Sequence, residues 1–206
     1  MNIFIVYAHP SENSFTFAVK EELIKSLSAA GHTITVSDLY KMNFQTDMSE
    51  SEYYREANYL SELPISDDVA KEREKINNCD CIVFIYPVFW TEAPAKLVGW
   101  FDRVWTYGFA YGNRSMKKLD KAYVICITGR SQSHLEEHGH LQSMQSVMLG
   151  DRIFDRAIHK EMVVLDSMTK FNEEKRRLNW DKHLRTVFEL GQRIDMENDV
   201  HNPIVL

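Results

Sequence analysis

The sequence predicts one doubly wound α/β domain over residues 1–206: a sheet of five parallel strands in the order 2-1-3-4-5, with helices on both faces. Three observations predict it. The chain has 206 residues, a length that suits one such domain and that can bury a full core without disulfides or metals. Short β-branched apolar runs alternate along it with longer segments whose apolar residues recur every three or four positions. The first of these runs, Ile3 to Tyr7, is continuously apolar, as expected for a strand covered on both sides.

The first strand is Ile3-Phe4-Ile5-Val6-Tyr7. Phe15, Val19, Leu23, Leu27 and Ala30 then follow at helical spacing, with Asn13 or Ser14 to cap the start and Gly31 to end the helix. Thr33 to Val36 is the second strand. Between Met42 and Lys75 nine Asp or Glu stand against four Lys or Arg, so most of the formal charge of −6 is local. That stretch reads as a solvated face, and its second half, Asp67 to Ile76, as a helix capped by Ser66. Cys81 to Tyr86 is the third strand and stops at Pro87. A helix from about Pro94 to Trp105 tolerates its proline in the first turn, and Asp102 and Arg103 read as ion pairing at its end. Ala122 to Thr128 and Met162 to Leu165 complete the strands. The last helix, Glu173 to Ile194, puts Trp180, Leu184, Val187, Phe188 and Ile194 on one face, and the tail from Asp195 to Leu206 is expected to be loose.

Composition excludes several classes. Outside the acidic stretch the chain is nearly neutral, so no basic face is available for nucleic acid. Cys79, Cys81 and Cys126 form no C-x-x-C pair and read as inert thiols in a reducing cytoplasm. The start, Met1 to Pro10, lacks the pattern of a signal peptide, and no apolar run approaches ~20 residues, so membrane insertion is not expected.

Ligands of open parallel sheets bind beyond the carboxyl ends of the strands, where strand order reverses. The order 2-1-3-4-5 brings three loops together there: Ala8 to Ser14, Pro87 to Ala93 and Thr128 to Ser133. The first leads into a helix N-terminus and offers Ser11, Asn13, Ser14, Thr16 and His9. It reads either as a phosphate cradle or as a plain polar cap. It is neither a G-x-G-x-x-G turn nor a P-loop, and His9-Pro10 and Pro87-Val88 stand where a phosphoreceiver domain would need acids. The second loop, Pro87-Val88-Phe89-Trp90-Thr91-Glu92-Ala93-Pro94, is stiffened by two prolines. Its aromatics suit a flat ligand, the alternative being a plug under a neighbouring loop. In the third, Gly129 permits close backbone approach, and Arg130 either stabilises negative charge on a reduced cofactor or is a surface residue.

At these loops the chain resembles the NAD(P)H:quinone oxidoreductase family of flavodoxin-like flavoenzymes. The carriers are Tyr7 to Ala18 (YAHPSENSFTFA), Asp38-Leu39-Tyr40, Tyr86 to Trp105 (YPVFWTEAPAKLVGWFDRVW), Gly108 to Tyr111 (GFAY) and Thr128-Gly129, within about the first 130 residues. The resemblance implies a flavodoxin-like fold, a bound flavin and a two-electron cycle. NAD(P)H is the electron donor, and a quinone or similar small-molecule acceptor then enters the same pocket. Carried over by position, His9, Ser14, Phe15 and Thr16 would hold the phosphate and ribityl chain. Pro87, Val88, Phe89, Trp90 and Thr91 would line the isoalloxazine ring, with Thr128, Gly129 and Arg130 at its pyrimidine edge and Tyr111 in the substrate pocket. Where the family has T-T-G-G, then a tyrosine and a histidine, this chain has Arg130 after Gly129, then Leu135, with His138 and His140 both near the histidine position. His134 and His138, four apart, also have a spacing that can chelate zinc on a helix, but no other ligand motif accompanies them and no metal site is assigned.

FMN is expected rather than FAD, because the first loop can satisfy a terminal phosphate and no second loop is evident to hold a pyrophosphate. Alternatives in neighbouring classes are an azo- or nitro-compound reductase, a flavin-binding regulatory subunit of a potassium-efflux system, and a one-electron carrier. Trp100, Phe101, Trp105, Tyr107, Phe109 and Tyr111 exceed what one helix face and loop usually hide, which points to a homodimer. Trp180, on the last helix, is expected to stand away from the site.

Overall fold

Phe4, Ile5 and Val6, all without solvent contact, sit in a central strand that exchanges backbone hydrogen bonds with a neighbour on each side. The computed structural model describes residues 1–196, so the expectation for the tail falls almost wholly outside the described residues. The strands are β1 (Asn2–Tyr7), β2 (Thr33–Asp38), β3 (Cys81–Pro87), β4 (Leu119–Ile127) and β5 (Ala157–Leu165). All pair in parallel, in the order β2-β1-β3-β4-β5 that the sequence predicts.

The helices are α1 (Phe15–Ala29), α2 (Glu50–Ala57), α3 (Asp67–Asn78), α4 (Ala95–Val104), α5 (Gln132–Glu137), α6 (His140–Gln145) and α7 (Glu173–Arg193), and α6 runs on into a π-helical stretch, Ser146–Ile153. Two cores result, one on each face of the sheet. Ile3, Ile5, Tyr7, Cys81, Val83 and Ile85 face α1 and α7. Phe4, Val6, Ile82, Phe84 and Tyr86 face α3, α4 and the π-helical stretch. The period-2 alternation of a strand thus feeds two buried faces, which is why the central runs of β1 and β3 are apolar throughout.

Several elements differ from expectation. α2 was not evident because only Arg55 among its residues is buried, so it has no apolar stripe. Ser49 and Glu52 form a capping box at its start. β5 begins at Ala157 rather than Met162, and its exposed and half-buried early residues fit an edge strand. Ser14, not Asn13, caps α1, whereas Ser66 stands at the cap position of α3 without a side-chain cap bond. The acidic stretch is not simply a solvated face. Glu52 and Asp68 pair with Arg103, Glu56 with Arg55, and Glu72, fully buried, with Lys75. Arg103, read from sequence as helix-end pairing, is 5% exposed and joins α2, α3 and α4. The six clustered aromatics are also better hidden than expected. Trp100, Phe101 and Phe109 are buried, Trp105 and Tyr107 half-buried, and only Tyr111 is exposed. No helix among the described residues is long and apolar enough to cross a membrane.

Candidate functional site

The parallel register brings the three loops out side by side. Tyr7 pairs with Ile85 across β1 and β3, Pro87 with Ile127 across β3 and β4, and Ile127 with Leu165 across β4 and β5. The ladder continues one residue into each loop: the N–H groups of Ala8, Val88 and Thr128 donate to the carbonyls of Ile85, Ile127 and Leu165. The loops therefore start from fixed points along one edge.

The first loop is folded on its own polar groups. His9 Nδ1 lies 2.9 Å from the Ser11 nitrogen and 3.1 Å from the Ser11 carbonyl oxygen, so the ring is held against the backbone of Ser11. Burial lowers the His9 pKa from its ordinary 6.5, so near neutrality the imidazole is uncharged. Ser14 Oγ accepts from Phe17 N–H at 3.0 Å. The N–H groups of Phe15 and Thr16, with no intrahelical acceptor to reach, find no partner among the described residues. The Tyr7 hydroxyl is buried close to Ser14, and burial pushes its pKa up to about 12. Free first-turn N–H groups, a neighbouring imidazole and the positive end of α1 fit a phosphate monoester. The side chains of Phe15 and Thr16 are buried, at 5% and 3% exposed, so it is their backbone that is offered to a ligand. Phe15 packs edge-on against Trp180, ring centroids 4.6 Å apart. The expectation that Trp180 stands apart from the site is therefore corrected: α7 packs on α1, and Trp180 braces the residue that opens it.

The second loop is a two-residue turn. Phe89 N–H donates to Glu92 C=O at 2.8 Å, and Glu92 N–H to Phe89 C=O at 2.9 Å. Between them Trp90 and Thr91 have φ of 51° and 67°. Positive φ at both central positions is the type I′ arrangement, which ordinarily selects Asn-Gly. A tryptophan and a β-branched threonine there are costly, by about 1–3 kcal/mol each, and such strain concentrates at functional sites. The turn presents Phe89 half exposed and Trp90 99% exposed. Pro87 is buried and Val88 and Thr91 are half-buried. Phe89 and Trp90 do not plug a neighbouring loop.

The third loop is braced by a fourth that the sequence did not single out. Ser167 N–H donates to Arg130 C=O and Met168 N–H to Thr128 C=O. Asp166 accepts from Gln132 N–H at the start of α5. The Arg130 and Thr128 acceptors are backbone carbonyls, which leave no residue-type signature, and the third is the Asp166 carboxylate. Thr128 is buried and Gly129 and Arg130 are exposed. A Cβ on Gly129 would meet only Thr169, at 3.5 Å, so the backbone is open there. Beyond Arg130, the rings of His134 and His138 stack with centroids 4.1 Å apart, and His140 lies 5.9 Å from His138. Desolvation, then His138 and Arg130, lower the His134 pKa. Among the described residues no group of three His, Cys, Asp or Glu is arranged to hold a metal ion. The three cysteines are buried and unpaired, and burial pushes the Cys79 and Cys126 thiols up to about 12.

Tyr111 is not among these loops. It lies beyond the end of α4, its hydroxyl donating to Glu56 of α2 at 3.2 Å. The adjacent Ala110 carbonyl accepts from Arg156, which directly precedes β5 at the opposite edge of the sheet.

Residues 1–152 match the signature of a family described by its flavodoxin-like fold. The chain belongs to that family. Among solved structures it is similar to an NAD(P)H:quinone oxidoreductase from Methanothermobacter marburgensis, 40% identical, covering 98% of this chain and 99% of that one with a TM-score of 0.90. It is 34% identical to NAD(P)H dehydrogenase (quinone) 1 of Cavia porcellus over 147 residues, 63% of this chain and 54% of that protein. The chain spans about half the length of the curated relatives it matches. An FMN-dependent NADH-azoreductase from Bacillus anthracis, solved in complex with FMN, shares the fold at 17% identity, covering 94% of this chain and 99% of that one, with a TM-score of 0.67. These flavodoxin-like relatives are thus named as quinone oxidoreductases and azoreductases.

Proposed function

We propose that this protein is a flavin-dependent NAD(P)H oxidoreductase that reduces quinones or similar electrophiles by two electrons in a ping-pong cycle. The observation that carries the reading is the carboxyl edge of the sheet: a helix N-terminus with unpartnered N–H groups stands beside a strained turn that exposes two aromatic rings. The similarity to proteins named as NAD(P)H:quinone oxidoreductases supports it. Flavin, when bound, supplies the hydride chemistry. The chain supplies position and electrostatics. The Phe15 and Thr16 N–H groups, Ser14 and His9 hold the phosphate, Pro87 to Thr91 lie along the ring system, and Thr128 to Arg130 take its polar edge. FMN is the form we assign, because one helix terminus answers one terminal phosphate. Arg130, exposed at the strand end, stabilises charge on the reduced cofactor. A homodimer completes the pocket: Tyr111 lies outside its own chain's site and reaches a pocket only from a second copy. The exposed Tyr53, Tyr54 and Tyr59 offer apolar surface for that contact. Three buried thiols suit a reducing cytoplasm.

The purified protein should be yellow, and denaturation should release FMN, identified by chromatography. With saturating flavin, varied NAD(P)H and varied quinone should give parallel double-reciprocal lines, since one pocket serves both in turn. Intersecting lines would exclude the shared pocket. Turnover with azo or nitro compounds but not quinones would favour the azoreductase reading, and flavin binding without turnover of any acceptor would favour a regulatory subunit. Light scattering at micromolar concentration should give the mass of a dimer, and a fully active monomer would rule the second copy out.

A further inference from the structure

The Trp90–Thr91 turn raises a physical question of its own: what holds two residues with side chains in the left-handed region. The Trp90 ring gives no help, because it is 99% exposed among the described residues. The two hydrogen bonds between Phe89 and Glu92 close the turn but would form equally in a relaxed type of turn. The entry is pinned by the Val88 N–H to Ile127. The exit is pinned by Glu92, whose carboxylate accepts from Ala93 N–H at 2.7 Å and from Arg152 Nη1 at 2.9 Å.

Arg152 is itself immobilised. Its side chain is 14% exposed. The guanidinium lies over the Phe101 ring, 4.8 Å from the centroid, and its carbonyl accepts from Trp105 Nε1. Phe101 and Trp105 belong to α4 and its C-cap, the helix that follows the turn. Arg152 comes from the π-helical stretch, whose wider turn sets it at a different angle from the one an α-helix would give. Thr91, Ala93, Met144 and Met148 line the narrow gap between that stretch and the turn.

We infer that Arg152 is a positioning residue: its ion pair with Glu92 holds the Trp90–Thr91 turn in its left-handed conformation and so fixes the aromatic platform of the site. The inference concerns this chain's own backbone. Only its flavin arm rests on the function proposed above.

The test has two arms. In flavin-free protein, amide hydrogen exchange is followed at Phe89 and Glu92, with Ile85 in β3 as the internal reference. Arg152→Met, which keeps the packing over Phe101 but removes the charge, should speed exchange at both turn amides by about tenfold and leave Ile85 unchanged. In the second arm FMN affinity is measured by fluorescence titration, and Arg152→Met should weaken it by about tenfold. Adding Thr91→Gly to Arg152→Met should return both readings to within about threefold of wild type, because glycine takes positive φ without an anchor. A purely structural arginine would not be rescued by a glycine in the turn. Should Arg152→Met not fold, Glu92→Gln removes the same ion pair from the other side and is read the same way. Unchanged turn exchange, or no rescue by Thr91→Gly, would overturn the inference, as would faster exchange with undiminished FMN affinity. Wild-type protein that takes up no flavin at all would defeat the proposed function, and the exchange arm would still decide this one.

Discussion

Arg103→Met should lower the stability of the fold by about 2–3 kcal/mol, read as a lower urea midpoint at pH 7. Arg103 Nη1 donates to Asp68 Oδ2 and to the Gln45 carbonyl, each at 2.6 Å, and Nη2 donates to Glu52 Oε1 at 2.7 Å and Ser66 Oγ at 2.8 Å. Three helices and one loop thus share one guanidinium that is almost wholly buried. Removing the cation leaves two carboxylates without a charged partner, and breaking a buried pair in this way typically costs about 3–5 kcal/mol. The Glu52 and Asp68 side chains are 20% and 34% exposed, so solvent screens part of that cost and the lower figure applies.

The pH dependence gives a second check. Burial alone would raise the Glu52 and Asp68 pKa values, but the hydrogen bonds and charge of Arg103 more than offset it and hold both below their ordinary 4.5 and 3.8. A carboxyl with a depressed folded-state pKa contributes stability above its unfolded value and loses it as the pH falls through the folded one. The gap between wild type and Arg103→Met should therefore be flat from pH 7 to about pH 5, then narrow as the pH falls below the ordinary carboxyl values. A gap unchanged down to about pH 3 would mean that Arg103 acts by packing rather than by charge.

Trp90→Ala should weaken FMN binding by at least about tenfold while leaving the stability of the flavin-free protein within about 0.5 kcal/mol of wild type. An indole that is 99% exposed contributes no burial to the fold, so whatever it contributes must come from a ligand laid against it. Trp180→Ala should show the reverse balance. Trp180 is half-buried, packs edge-on against Phe15 and carries the Arg176 guanidinium over its ring at 4.8 Å. Its loss should cost about 1–2 kcal/mol of stability. The released Phe15 should weaken FMN binding as well, though by less than Trp90→Ala does. Fluorescence titration and urea unfolding of the two variants provide the comparison. Equal FMN affinity in Trp90→Ala and wild type would remove the turn from the cofactor site.

The layered α/β architecture and the three loops that leave one edge of the sheet were legible from short-range pattern, and the strand order came with the fold class as its common arrangement. Continuous β-branched runs need cover on both faces, helical spacing supplies it, and a parallel ladder sends successive loops out of the same edge. A helix cap at Asn13 or Ser14 was legible for the same reason, since a cap bonds a few residues along its own chain, and the structure selects Ser14. What tertiary structure alone decided depends on groups far apart in sequence. Arg103 meets Glu52 across 51 positions, and Arg152 meets Glu92 across 60. An arginine carries no mark of which carboxylate will neutralise it, so the ion pairs made by the acidic stretch were not readable from composition. The left-handed Trp90–Thr91 turn runs against the residue preferences from which turns are read, so no local rule announces it. Tyr111 shows the same limit. Its motif gives the residue, but where it stands relative to the carboxyl edge follows from how α4 and the loop after it pack against α2 and the start of β5, and packing is a property of the assembled chain.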